Sequence, residues 1–157
     1  MSFLVVLDDL WSRDLALKYI AVLEDDQRRI TAISKAVRTQ FADHELRIFD
    51  SAPEMIGWLT EHRDNIQLIS LDCDLDATAL VNAECGSGED VAAHLGNNPP
   101  HCPVLIHSSN AMRAPAMHLE LTTAGWPNVE LCPFRDEITW VADVRAALAR
   151  MAGTDGQ

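Results

Sequence analysis

The chain has 157 residues, the length of one domain, and 48% of them are hydrophobic, enough for one substantial core. Twelve Lys and Arg against twenty-four Asp and Glu leave a formal net charge of −12 with His neutral, which excludes nucleic-acid or anionic-membrane binding by bulk charge. The apolar run at residues 3–7 lacks a basic flank and stops at Asp8 and Asp9, too short for a signal-peptide core or a membrane span, and a cytoplasmic location is expected.

Residues 1–17 precede the regular pattern and carry Trp11. Residues 10–18 are too short for a crossover helix with its loops. The segment is therefore expected to be an N-terminal extension, either an added edge strand or a piece that docks on the domain or pairs with a second copy. Residues 19–23 form a short apolar run ended by Glu24, Asp25 and Asp26, the mark of a buried parallel strand with an acidic C-terminal end. Ile30, Ile33, Val37 and Phe41 then step by three or four, a surface-helix stripe with Asp25 or Asp26 as N-cap.

A second strand is predicted over 46–49, and Ser51-Ala52-Pro53-Glu54 opens a helix as a capping box with proline in its first turn. A third strand, 66–71, ends at Asp72-Cys73-Asp74. The stretch 76–87 is longer than a strand-to-helix link needs and overhangs the strand ends; it reads as a lid or a short extra helix. Val91, Ala92 and Leu95 mark a helix stopped by Gly96 and Pro99-Pro100. A fourth strand, 103–107, runs into Ser108-Ser109-Asn110, and Met117 and Leu121 mark a helix running to Gly125. A fifth strand covers 129–131, and Ile138, Val141, Val144 and Leu148 line the last helix, before a disordered tail at 153–157.

Five apolar runs alternating with helices predict a doubly wound parallel α/β sheet, helices on both faces, over residues 18–152. Ligands of such sheets sit at the carboxyl ends of the strands near the topological switch. Glu24, Asp25 and Asp72, with the backbone carbonyl near Asp74, are placed there. Carboxylates that close repel one another, and a cation keeps them ionised; few hard oxygen ligands suit Mg²⁺, which commonly bridges to a phosphate. A phosphorylated ligand is therefore expected. The four cysteines form no C-x-x-C pair and no His or Cys pair has zinc spacing, so they are read as reduced thiols. Cys73 and Cys132 are read as buried filler; at one edge they would instead allow redox sensitivity.

Val22-Leu23-Glu24-Asp25-Asp26-Gln27-Arg28-Arg29, Leu68-Ile69-Ser70-Leu71-Asp72, Pro103-Val104-Leu105-Ile106-His107-Ser108-Ser109, and Ala124-Gly125 with Leu131-Cys132-Pro133-Phe134 resemble, in order, the signatures of response-regulator receiver domains. The resemblance implies a flavodoxin-like, CheY-like fold. It makes Glu24 and Asp25 the metal-binding acidic pair, Asp72 the phospho-accepting aspartate and Ser108 the hydroxyl that contacts the phosphoryl group. Cys132 stands where receivers carry a lysine, and a neutral thiol cannot supply that charge; Arg113 and Arg135 are the candidate replacements, each otherwise a solvated side chain.

Leu71-Asp72-Cys73-Asp74-Leu75 and Ile106-His107-Ser108-Ser109-Asn110 also look like the receiver-like branch proposed to process cyclic phosphates, with Cys73 where that branch has histidine. That branch implies a site containing His107 and Asn110, with His107 a general acid or base; otherwise His107 simply hydrogen-bonds at a strand end. The expected function is an atypical signalling receiver with a Mg²⁺-binding acidic pocket and Asp72 as phosphoryl acceptor. The alternatives are a metal-dependent phosphoesterase acting on cyclic or terminal phosphates and a metal-free adaptor. Only nine residues follow Leu148, so output is expected to pass through a kinase or output protein as partner, or through a homo-oligomer.

Overall fold

The computed structural model describes residues 17–75, 82–133 and 136–153. The extension at 1–16, the part of the expected lid at 76–81, Arg135 and the tail at 154–157 lie outside the described residues. Strand β1 (Tyr19–Leu23) is buried along its whole length, the environment its β-branched, apolar run requires. Helix α1 (Gln27–Gln40) starts at Asp26, whose carboxylate accepts from the backbone N–H groups of Arg28 and Arg29, so Asp26 is the N-cap. It buries Ile33, Ala36 and Val37.

There follow β2 (Glu45–Phe49), α2 (Ala52–His62), a 3-10 turn (Arg63–Asn65), β3 (Ile66–Leu71), the short helix α3 (Asn82–Cys85), α4 (Gly88–Gly96), β4 (Val104–Ile106), α5 (Arg113–Thr123), β5 (Val129–Leu131) and α6 (Glu137–Gly153). Within the described residues the predicted strands and helices are present, with ends displaced by a residue or two where the terminal turns and strand ends are set by hydrogen bonds rather than by apolar pattern. Helix α3 realises one of the two readings of the 76–87 stretch. No described helix is long and apolar enough to cross a membrane.

The five strands are parallel in the order β2-β1-β3-β4-β5. Chain direction across the sheet reverses between β1 and β3, which opens a crevice beyond their carboxyl ends. Side-chain alternation divides the sheet into two faces. Ala21, Leu23, Ile69, Leu71, Val104 and Ile106 pack with residues of α2, α4 and α5 in one core. Ile20, Val22, Leu68, Leu105 and Cys132 pack with residues of α1 and α6 in the other. Cys73 belongs to the first core and Cys132 to the second. The two thiols are buried filler on opposite faces, and the alternative of a neighbouring redox pair is corrected by the strand parity that separates them.

Candidate functional site

Each of four backbone N–H groups extends the sheet ladder one residue past a strand. Glu24 donates to Phe49 (2.9 Å), Asp72 to Leu23 (3.0 Å), His107 to Leu71 (2.9 Å) and Cys132 to Ile106 (2.8 Å). The ladder therefore fixes Glu24, Asp72, His107 and Cys132 in one row along the carboxyl edge. Parity continues from Ile20 and Val22 to Glu24, from Leu68 to Ser70 and Asp72, and from Leu105 to His107. These polar groups thus sit at the end of the α1/α6 face.

Glu24 is fully buried and Asp72 is 1% exposed. Ligand atoms of Glu24, Asp25 and Asp72 lie within 4.8 Å of one another. The charge is partly met by Arg29, whose Nη2 donates to Asp72 Oδ2 (2.9 Å) and to Glu24 Oε1 (3.0 Å). Its Nε lies 3.0 Å from Glu24 Oε2 as an ion pair but makes no hydrogen bond. Glu24 Oε1 also accepts from the N–H groups of Asp25 and Asp26, both at 2.9 Å.

His107 is fully buried, with Nε2 3.1 Å from Glu24 Oε2 and Nδ1 2.6 Å from Ser70 Oγ. A carboxylate only accepts, so Nε2 carries a proton and donates; the Ser70 hydroxyl donates to Nδ1 when the ring is neutral and accepts when it is charged. Burial alone would raise the Glu24 carboxyl, but the hydrogen bond and charge of His107, the Asp26 N–H and Arg29 together hold it below its ordinary value. Asp72 goes the other way: burial first, then the Glu24 charge, push it up to about 6 against the pull of His107 and Arg29.

Beside this cluster opens a cavity of about 460 Å³ lined by Arg29, Asp72, Asp74, Leu75, Gly86, Ser87, Ser109 and Arg113. Arg113 grips Glu89 with a bidentate pair (Nε to Oε1 and Nη2 to Oε2, both 2.8 Å) and donates to Asp74 Oδ1 (2.6 Å). Asn110 donates to Asp74 Oδ2 (3.0 Å), while its own Oδ1 accepts from the N–H groups of Met112 and Arg113 at the entry to α5. Ser108 is buried and its Oγ accepts from the Asn110 N–H (3.1 Å).

The predicted acidic residues Glu24, Asp25 and Asp72 come together. The Asp74 carboxylate lines the cavity and is bound by Arg113 and Asn110. Asn110 acts as a cap and tether. His107 bonds to Glu24 and Ser70 behind the cavity wall.

Sequence reasoning missed two members. Arg29 was hidden among surface-helix residues, although a cation in the first turn of a helix opposes the macrodipole and invites a search for an acidic partner. Ser70 is the lone hydroxyl in an apolar buried strand, which signals a buried partner.

Among curated proteins nothing matches this sequence. The family model described as the cyclic-phosphate processing receiver domain matches residues 20–123. The chain belongs to that family. Solved structures share the fold: a response regulator receiver domain from Rhodospirillum rubrum (17% identity, 88% of this chain and 93% of that one, TM-score 0.59), the Mn(2+)-bound form of response regulator Rcp1 (21% identity, 82% and 90%, TM-score 0.56), and a chain of the CheX-CheY-BeF3-Mg+2 complex from Borrelia burgdorferi (10% identity, 92% and 94%, TM-score 0.61).

Two features adapt this receiver domain. Cys132 lies in the α1/α6 core, where burial pushes its thiol up to about 11, so it stays neutral at physiological pH. Arg29 and Arg113 line the cavity, each paired with carboxylates. The three gathered carboxylates offer hard oxygen donors at a spacing a small divalent cation can draw together, and they suit such an ion.

Proposed function

We propose that this receiver domain binds Mg²⁺ through Glu24, Asp25 and Asp72 and opens a cyclic phosphate ester held in the adjoining cavity. The observation that carries this reading is that Asp72 belongs both to the buried carboxylate cluster and to the cavity wall, with guanidinium groups at the same cavity. A phosphodiester anion needs both kinds of group. When bound, the cation supplies neutralisation of charge on the phosphoryl oxygens.

The chain's own residues do the rest. Arg113, supported by Glu89 and Asp74, presents charge toward the anion, and Ser109 and Ser87 line the space it fills. Asp72 orients the attacking water, whose oxygen bonds to phosphorus while one ester P–O bond breaks; the water's proton ends on the released alkoxide. His107, held between Ser70 and Glu24, is a positioning residue that keeps the Glu24 carboxylate aimed.

The test is a nucleoside 2′,3′-cyclic phosphate with Mg²⁺ followed by phosphorus NMR. Ring opening by the wild type, lost in Asp72→Ala and absent with chelator, is the expected result; no opening of cyclic substrates by a metal-bound protein overturns the reading.

A second reading is favoured by the position of Asp72 immediately past β3, matching the phospho-accepting aspartate of receivers. There Asp72 takes the phosphoryl group itself, and incubation with acetyl phosphate adds one phosphoryl mass that Asp72→Asn abolishes. Either way output would pass to a protein partner or a second copy, and exposed Met112 and Leu119 at α5 offer apolar contact. A cytoplasmic setting fits the reduced thiols of Cys73, Cys85 and Cys132.

A further inference from the structure

Arg29 is the third residue of α1, where the positive end of the helix disfavours a cation. Arg28 beside it is exposed, while Arg29 is turned into the site. Its Nη2 stands between Glu24 Oε1 and Asp72 Oδ2 at 3.0 and 2.9 Å, bridging the two buried carboxylates that a bound cation would have to share. An ion such as Mg²⁺ needs oxygens at about 2.0–2.1 Å, so those two oxygens cannot close around it while the guanidinium occupies the space between them. The fit is also imperfect, since the buried Nε, 3.0 Å from Glu24 Oε2 as an ion pair, makes no aligned hydrogen bond. The same side chain lines the cavity that Arg113 lines, so an alternative place for its charge is at hand.

Resting on the metal-binding reading above, we infer that Arg29 is a resident stand-in for the divalent cation. It holds the carboxylates together in the metal-free protein. With a cation held by those carboxylates, the guanidinium would be released and would turn into the cavity to bind the phosphoryl anion. Metal and anion binding are therefore coupled through one side chain, in addition to any direct bridge between them, and the coupling is reciprocal. The site admits its anion fully only after it has taken its metal.

Calorimetric titration of Mg²⁺, and then of inorganic phosphate at saturating Mg²⁺, into wild type, Arg29→Gln and Arg29→Lys tests this. Arg29→Gln is expected to bind Mg²⁺ about tenfold or more tightly than wild type, because no charge-assisted bonds have to be broken first. Its metal-free form should melt below wild type and recover the difference when Mg²⁺ is added. Its phosphate affinity at saturating Mg²⁺ should fall by about tenfold. Arg29→Lys, which keeps the charge but loses the fork, is expected between the two and serves if the glutamine variant does not fold.

Unchanged or weaker Mg²⁺ binding by a folded Arg29 variant overturns the inference while leaving the metal site standing. Phosphate affinity at saturating Mg²⁺ that ignores Arg29 also overturns it. Absence of Mg²⁺ binding in wild type and both variants removes the metal reading itself, and the inference with it.

Discussion

Asp72 is buried beside a second carboxylate, and those two circumstances outweigh its ion pair with Arg29 in setting its protonation. Its folded value, about 6, stands above the ordinary 3.8. Folding therefore favours the protonated form: the stability Asp72 contributes is full below about pH 4 and is lost as pH rises through 6. Glu24, held below its ordinary value, acts in the opposite sense and loses its contribution as pH falls. In chelator, Asp72→Asn is expected to exceed wild type in stability at pH 8 by about 1–3 kcal/mol, with the gain shrinking to nothing near pH 4. Urea denaturation across that range checks it, and a variant less stable than wild type at pH 8 refutes it. The acidic residues of this site were legible in the sequence because they terminate apolar strands. Arg29 and Ser70 were not, because a salt bridge spanning 43 residues and a hydroxyl-imidazole pair spanning 37 leave no local spacing to read.

The link from β3 to α4 is where an element's geometry bears on the site. Gly88 opens α4 with its N–H donated to the Cys73 carbonyl (3.0 Å), and a Cβ there would lie 1.9 Å from the Asp72 carbonyl oxygen. Backbone cannot yield as a side-chain tip does. Gly88→Ala is expected to cost about 1–3 kcal/mol and to weaken Mg²⁺ binding by displacing Asp72. Gly57→Ala, in α2 with nothing within 4 Å of its added Cβ, should instead stabilise by about 0.5–1 kcal/mol and leave Mg²⁺ binding unchanged. Thermal melts and metal titration of the two variants provide the comparison; equal effects would refute the packing argument. Strands and helices were legible because burial on a doubly covered sheet forces apolar runs, while helix stripes and caps such as Asp26 and Ser51 are local. The assignment of Cys73 and Cys132 to opposite faces, and of Asp74 and Asn110 to the Arg113 network, depends on strand parity and on contacts distant in sequence, which no local pattern encodes.

At the scale of the molecule, a formal charge of −12 makes two effects of Mg²⁺ separable. Any electrolyte screens diffuse repulsion among exposed carboxylates and stabilises the compact state, whereas the trio of buried Glu24 and Asp72 with half-buried Asp25 is screened less and is expected to respond to a cation that fits it. Raising NaCl from about 10 mM to about 0.5 M, where the Debye length drops from about 30 Å to a few ångströms, is expected to raise the melting temperature of wild type and Asp72→Ala alike. Millimolar Mg²⁺ added at the high salt should then stabilise wild type further, by about 2.7 kcal/mol at a hundred times its dissociation constant, and leave Asp72→Ala where the salt put it. A Mg²⁺ increment that vanishes at high salt, or that Asp72→Ala retains in full, would assign the effect to surface charge. An increment that survives in wild type alone locates it at the carboxyl edge of β1 and β3, where the topology of the sheet, the acidic residues and the cavity coincide.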